Sequence, residues 1–206
     1  MNDCVKSIVG GNPYSPGGYA VVMNPNTGGI YALAGVNRNV KTGKITDNAL
    51  GAINQTYVMG SVVKGAMVLG ALKSGVITPS NNTLTDEPIK LKGTATKSSW
   101  FNKTGGANLS LTASDALEVS SNSYMMKLAM MEGGFNYVPG SALSLSNSIF
   151  DKLRSNFKQF GLGIKTGIDI PGEAKGFEGP ANQAHIGNAL DLSFGNYDSY
   201  TTLQLA

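Results

Sequence analysis

Gly60-Ser-Val-Val-Lys-Gly-Ala-Met-Val-Leu-Gly-Ala-Leu-Lys-Ser-Gly75 is the stretch on which the reading of the fold turns. It is predicted as one helix from Ser61, closed by Gly75 with Pro79 just beyond. Apolar residues lie nearly all round it, so it belongs in the interior. Its internal Gly65 and Gly70 each cost about 1 kcal/mol relative to Ala, which predicts close packing against another backbone. Ser61 and Lys64 are three apart and share a helical face. A Ser hydroxyl is a poor nucleophile until a neighbour removes its proton, and a Lys amine can do so once burial lowers its pKa. The helix N-terminus adds N–H groups and a positive dipole where an oxyanion would form. The spacing alone is a weak signal, because Ser155-Asn-Phe-Lys158 repeats it. That copy sits mid-way along an amphipathic segment with no Gly before it and is read as chance.

Upstream, Tyr19-Ala-Val-Val-Met23 and Ile30-Tyr-Ala-Leu-Ala34 flank Asn24-Pro-Asn-Thr-Gly-Gly29, the pattern of a β-hairpin. Downstream, Thr78 to Leu109 is rich in Thr, Asn, Lys and Gly and reads as loops with one short strand. A helical block begins near Ser110 or Thr112, breaks at Ser120-Ser-Asn122 and resumes from Tyr124 to Glu132, with Ser or Asn at the break as cap. Met125, Met126, Met130 and Met131 make a stripe that reads as core filler. Pro139 to Ser148 reads as a loop, Ile149 to Phe160 as a short amphipathic helix, and Gly161 to Gly187 as a Gly/Pro-rich connection.

The 206 residues are 41% hydrophobic and 14% charged, which suits a single globular domain spanning 1–206 that buries roughly 70% of its unfolded surface. The net charge of +3 is scattered, with no Lys/Arg stripe, so nucleic acid is excluded as a partner. No apolar run reaches the roughly 18 residues of a membrane span, and Met1 to Gly11 has no h-region, so any export signal or anchor is expected outside these residues. The one cysteine, Cys4, makes no internal disulfide and lacks neighbours at metal spacing. The single His185, in a Gly/Asn-rich stretch, reads as structural or solvated. No metal and no organic cofactor is expected.

Taken in order, Tyr57-Val-Met-Gly60 before Ser61-Val-Val-Lys64, Ser120-Ser-Asn122 leading into Ser123-Tyr-Met125, Phe160-Gly-Leu-Gly163 with Thr166-Gly-Ile-Asp-Ile-Pro-Gly-Glu173, and Tyr200-Thr-Thr-Leu-Gln-Leu-Ala206 resemble the transpeptidase domain of class B penicillin-binding proteins, in the 2B type of Gram-positive bacteria. The resemblance implies an α+β penicillin-binding transpeptidase or serine β-lactamase-like fold. A helical subdomain would carry the chemistry, and the N-terminal hairpin would belong to an incomplete antiparallel sheet. It implies Ser61 as the acylated nucleophile, Lys64 as its base, Ser120 as the hydroxyl that relays a proton to the leaving group, and Asn122 as the amide holding Lys64 and substrate. Trp100 stands where the family often has a Trp walling the cleft, although a lone Trp can equally be core. Ser80-Asn-Asn82 also spells Ser-x-Asn but follows Ser61 too soon and reads as a turn.

The family's third motif, Lys-Thr/Ser-Gly followed by Thr, is where the sequence departs. Lys41-Thr-Gly43, Lys73-Ser-Gly75, Lys103-Thr-Gly105 and Lys165-Thr-Gly167 fit three letters, and none is followed by Thr. The true motif is expected beyond Ala206, which would leave the hairpin short of sheet neighbours, one face of the Ser61 helix bare, and the 206 residues alone with little activity. The implied reaction is acyl transfer from D-Ala-D-Ala peptidoglycan stem peptides at the outer face of the cytoplasmic membrane. β-Lactam antibiotics would acylate Ser61, and cell-wall synthesis or division proteins would be partners. A D,D-carboxypeptidase or β-lactamase-like hydrolase and a non-catalytic β-lactam sensor remain as alternatives; the deacylating Glu of class A β-lactamases has no counterpart here.

Overall fold

A computed structural model describes residues 1–206. The chain runs α1 (Asn2–Gly11), β1 (Gly17–Met23), β2 (Ile30–Arg38), β3 (Ile45–Asp47), α2 (Gly51–Asn54), β4 (Thr56–Val58), a 3-10 turn (Gly60–Val63) and α3 (Lys64–Ser74). It continues through β5 (Leu84–Asp86), β6 (Leu109–Leu111), α4 (Ala113–Glu118), α5 (Asn122–Glu132), α6 (Ser148–Lys158), a 3-10 turn (Gln183–His185), α7 (Asn188–Ser193), β7 (Ser199–Thr201) and α8 (Thr202–Leu205). This is a mixed α+β fold with small antiparallel sheets, and its chain divides into two compact units. No helix is long and apolar enough to cross a membrane.

The first unit comprises 1–57, 161–177 and 199–206. Its hairpin forms where expected: β1 pairs with β2 antiparallel, Ala20 opposite Ala34, around a turn in which Asn24 Oδ1 accepts from the backbone N–H groups of Asn26 and Thr27. Two features differ from the sequence reading. The hairpin gains a third strand, because Val36 to Arg38 pairs with β3 across a turn centred on Lys41 and Thr42, so β2 is central and β1 and β3 are the edges. Helix α1 forms where the sequence reading had no element, seating Val9 against the sheet at Gly18, where a Cβ would meet Val9 at 2.8 Å.

The second unit comprises 58–160 and 178–198. At its centre lies α5, whose Tyr124, Met125, Met126, Leu128, Ala129 and Met130 are fully buried against α3, α6 and α7. The methionine stripe is core, as read. Helix α3 is less enclosed than its composition suggests, since Val62, Gly65 and Leu69 lie on an exposed strip. At Gly70 an added Cβ would fall 2.2 Å from the Asn156 side chain, so the close approach there is to a side chain rather than to the expected backbone, and Gly65 faces open space. The helical block placed near Ser110 begins later: Leu109–Leu111 is instead a strand paired with β5, and α4 starts after Thr112, whose side chain forms a capping box with Asp115.

A buried ion pair ties the outer helix of this unit to its last segment. Arg154 Nε donates to Asp198 Oδ2 at 2.8 Å and Nη2 to Oδ1 at 2.8 Å, while Nη2 also reaches the Gly179 carbonyl at 2.7 Å. Asp198 Oδ1 further accepts from the Gly179 N–H at 2.9 Å, so both charges are paired and hydrogen-bonded, the condition on which a buried pair depends.

Candidate active site

Two glycines set the position of Ser61. Gly60 has φ +61° and donates its N–H to the Gly195 carbonyl at 2.9 Å, and Gly195 itself has φ +90°. A Cβ on Gly195 would lie 1.9 Å from the Gly60 carbonyl oxygen, so the backbone turn before Ser61 is pressed against a residue with no room for a side chain. From there the chain enters 3-10 rather than α geometry, and α3 proper begins only at Lys64. In 3-10 geometry side chains three apart eclipse one another, which places Lys64 directly under Ser61. Ser61 is exposed, whereas Lys64 is 2% exposed.

The Ser-x-Asn side of the site is built by the end of one helix and the start of the next. Helix α4 closes with the Ser120 N–H on the Leu117 carbonyl and the Ser121 N–H on the Ala116 carbonyl, the bonding of a Schellman cap. Gly usually fills the left-handed position of that cap, but here Ser120 does, with φ +54° as the one positive φ outside glycine. Such strain costs of order 1–3 kcal/mol and persists only where its surroundings hold it. Its result is that the Ser120 carbonyl and hydroxyl both turn toward Lys64. Ser121 then caps α5 by accepting from the Tyr124 N–H, and Asn122 stands on the first turn.

Lys64 Nζ donates to the Ser120 carbonyl at 2.7 Å, to Ser120 Oγ at 2.9 Å and to Asn122 Oδ1 at 2.7 Å, which uses all three ammonium protons. Ser120 Oγ donates in turn to Ser61 Oγ at 3.0 Å. In this arrangement Ser61 Oγ connects to Lys64 through Ser120 Oγ. Burial pulls the Lys64 pKa down from 10.5 to about 8, against an opposing pull from the Asp86 charge. The ammonium form is thus destabilised by about 3 kcal/mol. Asn122 keeps donor capacity, since its Nδ2 reaches only the Ser98 carbonyl at 3.5 Å.

Trp100 is not core. It is 69% exposed, edge-on to Phe101, and its indole N–H donates to the Val119 carbonyl at 3.0 Å, one residue before Ser120. The decoys fall elsewhere. Ser155 and Lys158 are exposed on α6, with Lys158 paired to Glu178, and Asn82 Nδ2 bonds the carbonyls of Thr78 and Pro79 in a turn. Of the four Lys-Thr/Ser-Gly triplets, none lies on a strand: Lys73-Ser-Gly75 ends α3, and Thr166 is tied to Glu173. His185 is exposed on a 3-10 turn. Sequence reasoning missed Gly195, which carries no signal of its own because its role depends on a backbone 135 positions away in the chain, at Gly60.

Comparison with known proteins adds to this geometry. The family described as penicillin binding protein transpeptidase domain matches residues 18–206. Penicillin-binding protein 2B of Streptococcus pneumoniae is 41% identical over 199 residues, covering 96% of this chain and 29% of the relative. Penicillin-binding protein 2A of Bacillus subtilis is 42% identical over 191 residues, covering 91% of this chain and 26% of the relative. Among solved structures, penicillin-binding protein 2B from S. pneumoniae strain 5204 superimposes with a TM-score of 0.91 at 39% identity, covering 100% of this chain and 34% of that one. The chain thus spans about a third or less of these longer relatives.

Proposed function

Because this chain belongs to the penicillin-binding protein transpeptidase family, we propose that Ser61 is an acyl-accepting nucleophile of a peptidoglycan D,D-transpeptidase, and that β-lactams acylate it as substrate mimics. The observation that carries the reading is the unbroken chain from Ser61 Oγ through Ser120 Oγ to a buried Lys64 whose pKa is lowered toward neutrality.

Once Lys64 is neutral, its lone pair accepts the Ser120 proton while Ser120 takes that of Ser61. The Ser61 oxygen then attacks the carbonyl of the terminal D-Ala-D-Ala bond. Each proton crosses one hydrogen bond, once the Ser120 hydroxyl has turned its own proton from Ser61 to the Lys64 lone pair. As the C–N bond breaks, the same path runs backward and Ser120 delivers the proton to the departing D-Ala amine, leaving an acyl ester on Ser61. An amine of a second stem peptide then takes the acyl group. Asn122 holds Lys64 through Oδ1 and offers Nδ2 to a substrate carbonyl, and Trp100 walls the cleft beside Val119. The substrate places the reaction on the outer face of the cytoplasmic membrane, among cell-wall synthesis or division proteins.

Fluorescent penicillin should label the natural polypeptide that carries these residues in a burst of one equivalent with little turnover. A stem peptide ending in D-Ala-D-Ala, given with an acceptor amine, should release D-Ala and form a new amide. Sustained penicillin hydrolysis would instead make this a β-lactamase-like hydrolase. Labelling with no D-Ala release from any stem peptide would make it a sensor.

A further inference from the structure

Behind the four residues of the site lies a carboxylate with no role in the proton path. Asp86, at the end of β5, is fully buried. Its Oδ2 accepts from Ser99 Oγ at 2.5 Å and from Ser121 Oγ, and its Oδ1 accepts from Asn102 Nδ2 at 3.1 Å. Each serine hydroxyl has one proton, and both protons are spent on Asp86. Their lone pairs therefore face the other way. Ser99 Oγ accepts from the N–H groups of Asn122 at 3.0 Å and Ser123 at 3.2 Å, and Ser121 Oγ accepts from the N–H of Tyr124 at 2.9 Å. The first three N–H groups of α5, which no helix can satisfy internally, are held by hydroxyls that one carboxylate orients. The negative charge also sits at the positive end of the α5 dipole.

We propose that Asp86 is a positioning residue for acylation: by fixing the proton directions of Ser99 and Ser121 it anchors the start of α5, and so holds Ser120 and Asn122 against Lys64. The proposal rests on Ser61 being the acylated residue. Asp86 touches neither substrate nor nucleophile and acts through the two serines. An Asn in its place has the same shape but the wrong chemistry, because it offers one acceptor and one amine. Whichever way it is turned, its amine faces either the serine pair, forcing a hydroxyl to reverse, or the Asn102 amine.

Asp86 is also the charge that bears on Lys64. On the elements packed against α3, Asp115 is bound in the Thr112 cap, Glu118 is exposed, Lys127 pairs with Glu87, Glu132 with Lys152, and Arg154 with Asp198. The cause acting on Lys64 other than burial is the Asp86 charge.

The test compares Asp86→Asn and Ser99→Ala with wild type in the natural polypeptide by amide hydrogen exchange and by penicillin acylation as a function of pH. Asp86→Asn should speed exchange at Asn122, Ser123 and Tyr124 at least about tenfold while leaving the amides of Leu128 to Met130 within about threefold of wild type. It should slow acylation about 10²-fold, and move the rising limb of the acylation profile to lower pH because the counter-charge of Lys64 is gone. Ser99→Ala keeps the carboxylate. It should loosen Asn122 and Ser123 but not Tyr124, and slow acylation with the limb unmoved. If Asp86→Asn does not fold, Ser99→Ala decides alone. Wild-type protection at these amides with wild-type acylation, in either folded variant, overturns the proposal. Should wild type itself fail to acylate, the transpeptidase reading fails while the exchange arm still decides whether Asp86 anchors α5.

Discussion

Replacing Lys64 by Arg should slow acylation of the natural polypeptide by penicillin at least about 10²-fold, the usual size of a general-base contribution, although the positive charge is kept. A guanidinium does not lose its proton in a protein, and its planar fork has no lone pair to offer Ser120. Lys64→Gln, neutral and one bond shorter, should be comparably slow, so that loss of charge and loss of basicity are separated. In wild type the rate should rise with pH through the Lys64 pKa of about 8, because only the neutral amine accepts a proton. At pH 7 about one site in ten is in that form, which leaves roughly a tenfold climb to the alkaline plateau. Stopped-flow acylation across pH 6 to 10 reads both effects. Acylation by Lys64→Arg within threefold of wild type would remove Lys64 from the base role.

The largest effect on stability should come from breaking the buried pair in the second unit. Arg154→Ala leaves Asp198 fully buried with its charge unpaired, and losses of about 3–5 kcal/mol follow from such a change. Hydrogen exchange of the α6 amides should then run on the order of 10²- to 10⁴-fold faster than in wild type, provided they open by unfolding of the unit. The double replacement Arg154→Met with Asp198→Leu should cost far less, since no orphaned charge remains. Equal protection in Arg154→Ala and wild type would show that the pair contributes little.

Much of the candidate site was legible in the sequence because its motifs are local. Ser61 with Lys64, and Ser120 with Asn122, stand in short runs whose order along the chain carries the family resemblance, and the helices beside them have clear periodicity and caps. The hairpin was legible for the same reason, its Asn24 to Gly29 cluster announcing the turn. Elements whose stability comes from tertiary packing were not legible. Helix α1 is exposed over most of its length and seats little more than Val9, so its composition carries almost no signal. Strand β6 is three residues that become a strand only because β5 lies beside them, and Ser110 looks as much like a cap as a strand residue. The 3-10 turn at Ser61 departs from the expected α geometry, with the pressure of Gly195 on Gly60 setting the entry. Trp100 illustrates the limit for single residues: its type fits both core and cleft wall, and only its exposure and its bond to Val119 place it outside the core.

Mapping the penicilloyl adduct tests the central claim most directly. After brief treatment of the natural polypeptide with penicillin and proteolysis, mass spectrometry should place the added mass on the peptide containing Ser61, and Ser61→Ala should abolish it. An adduct on Ser120, Ser155 or Ser80 with Ser61 unmodified would contradict the assignment.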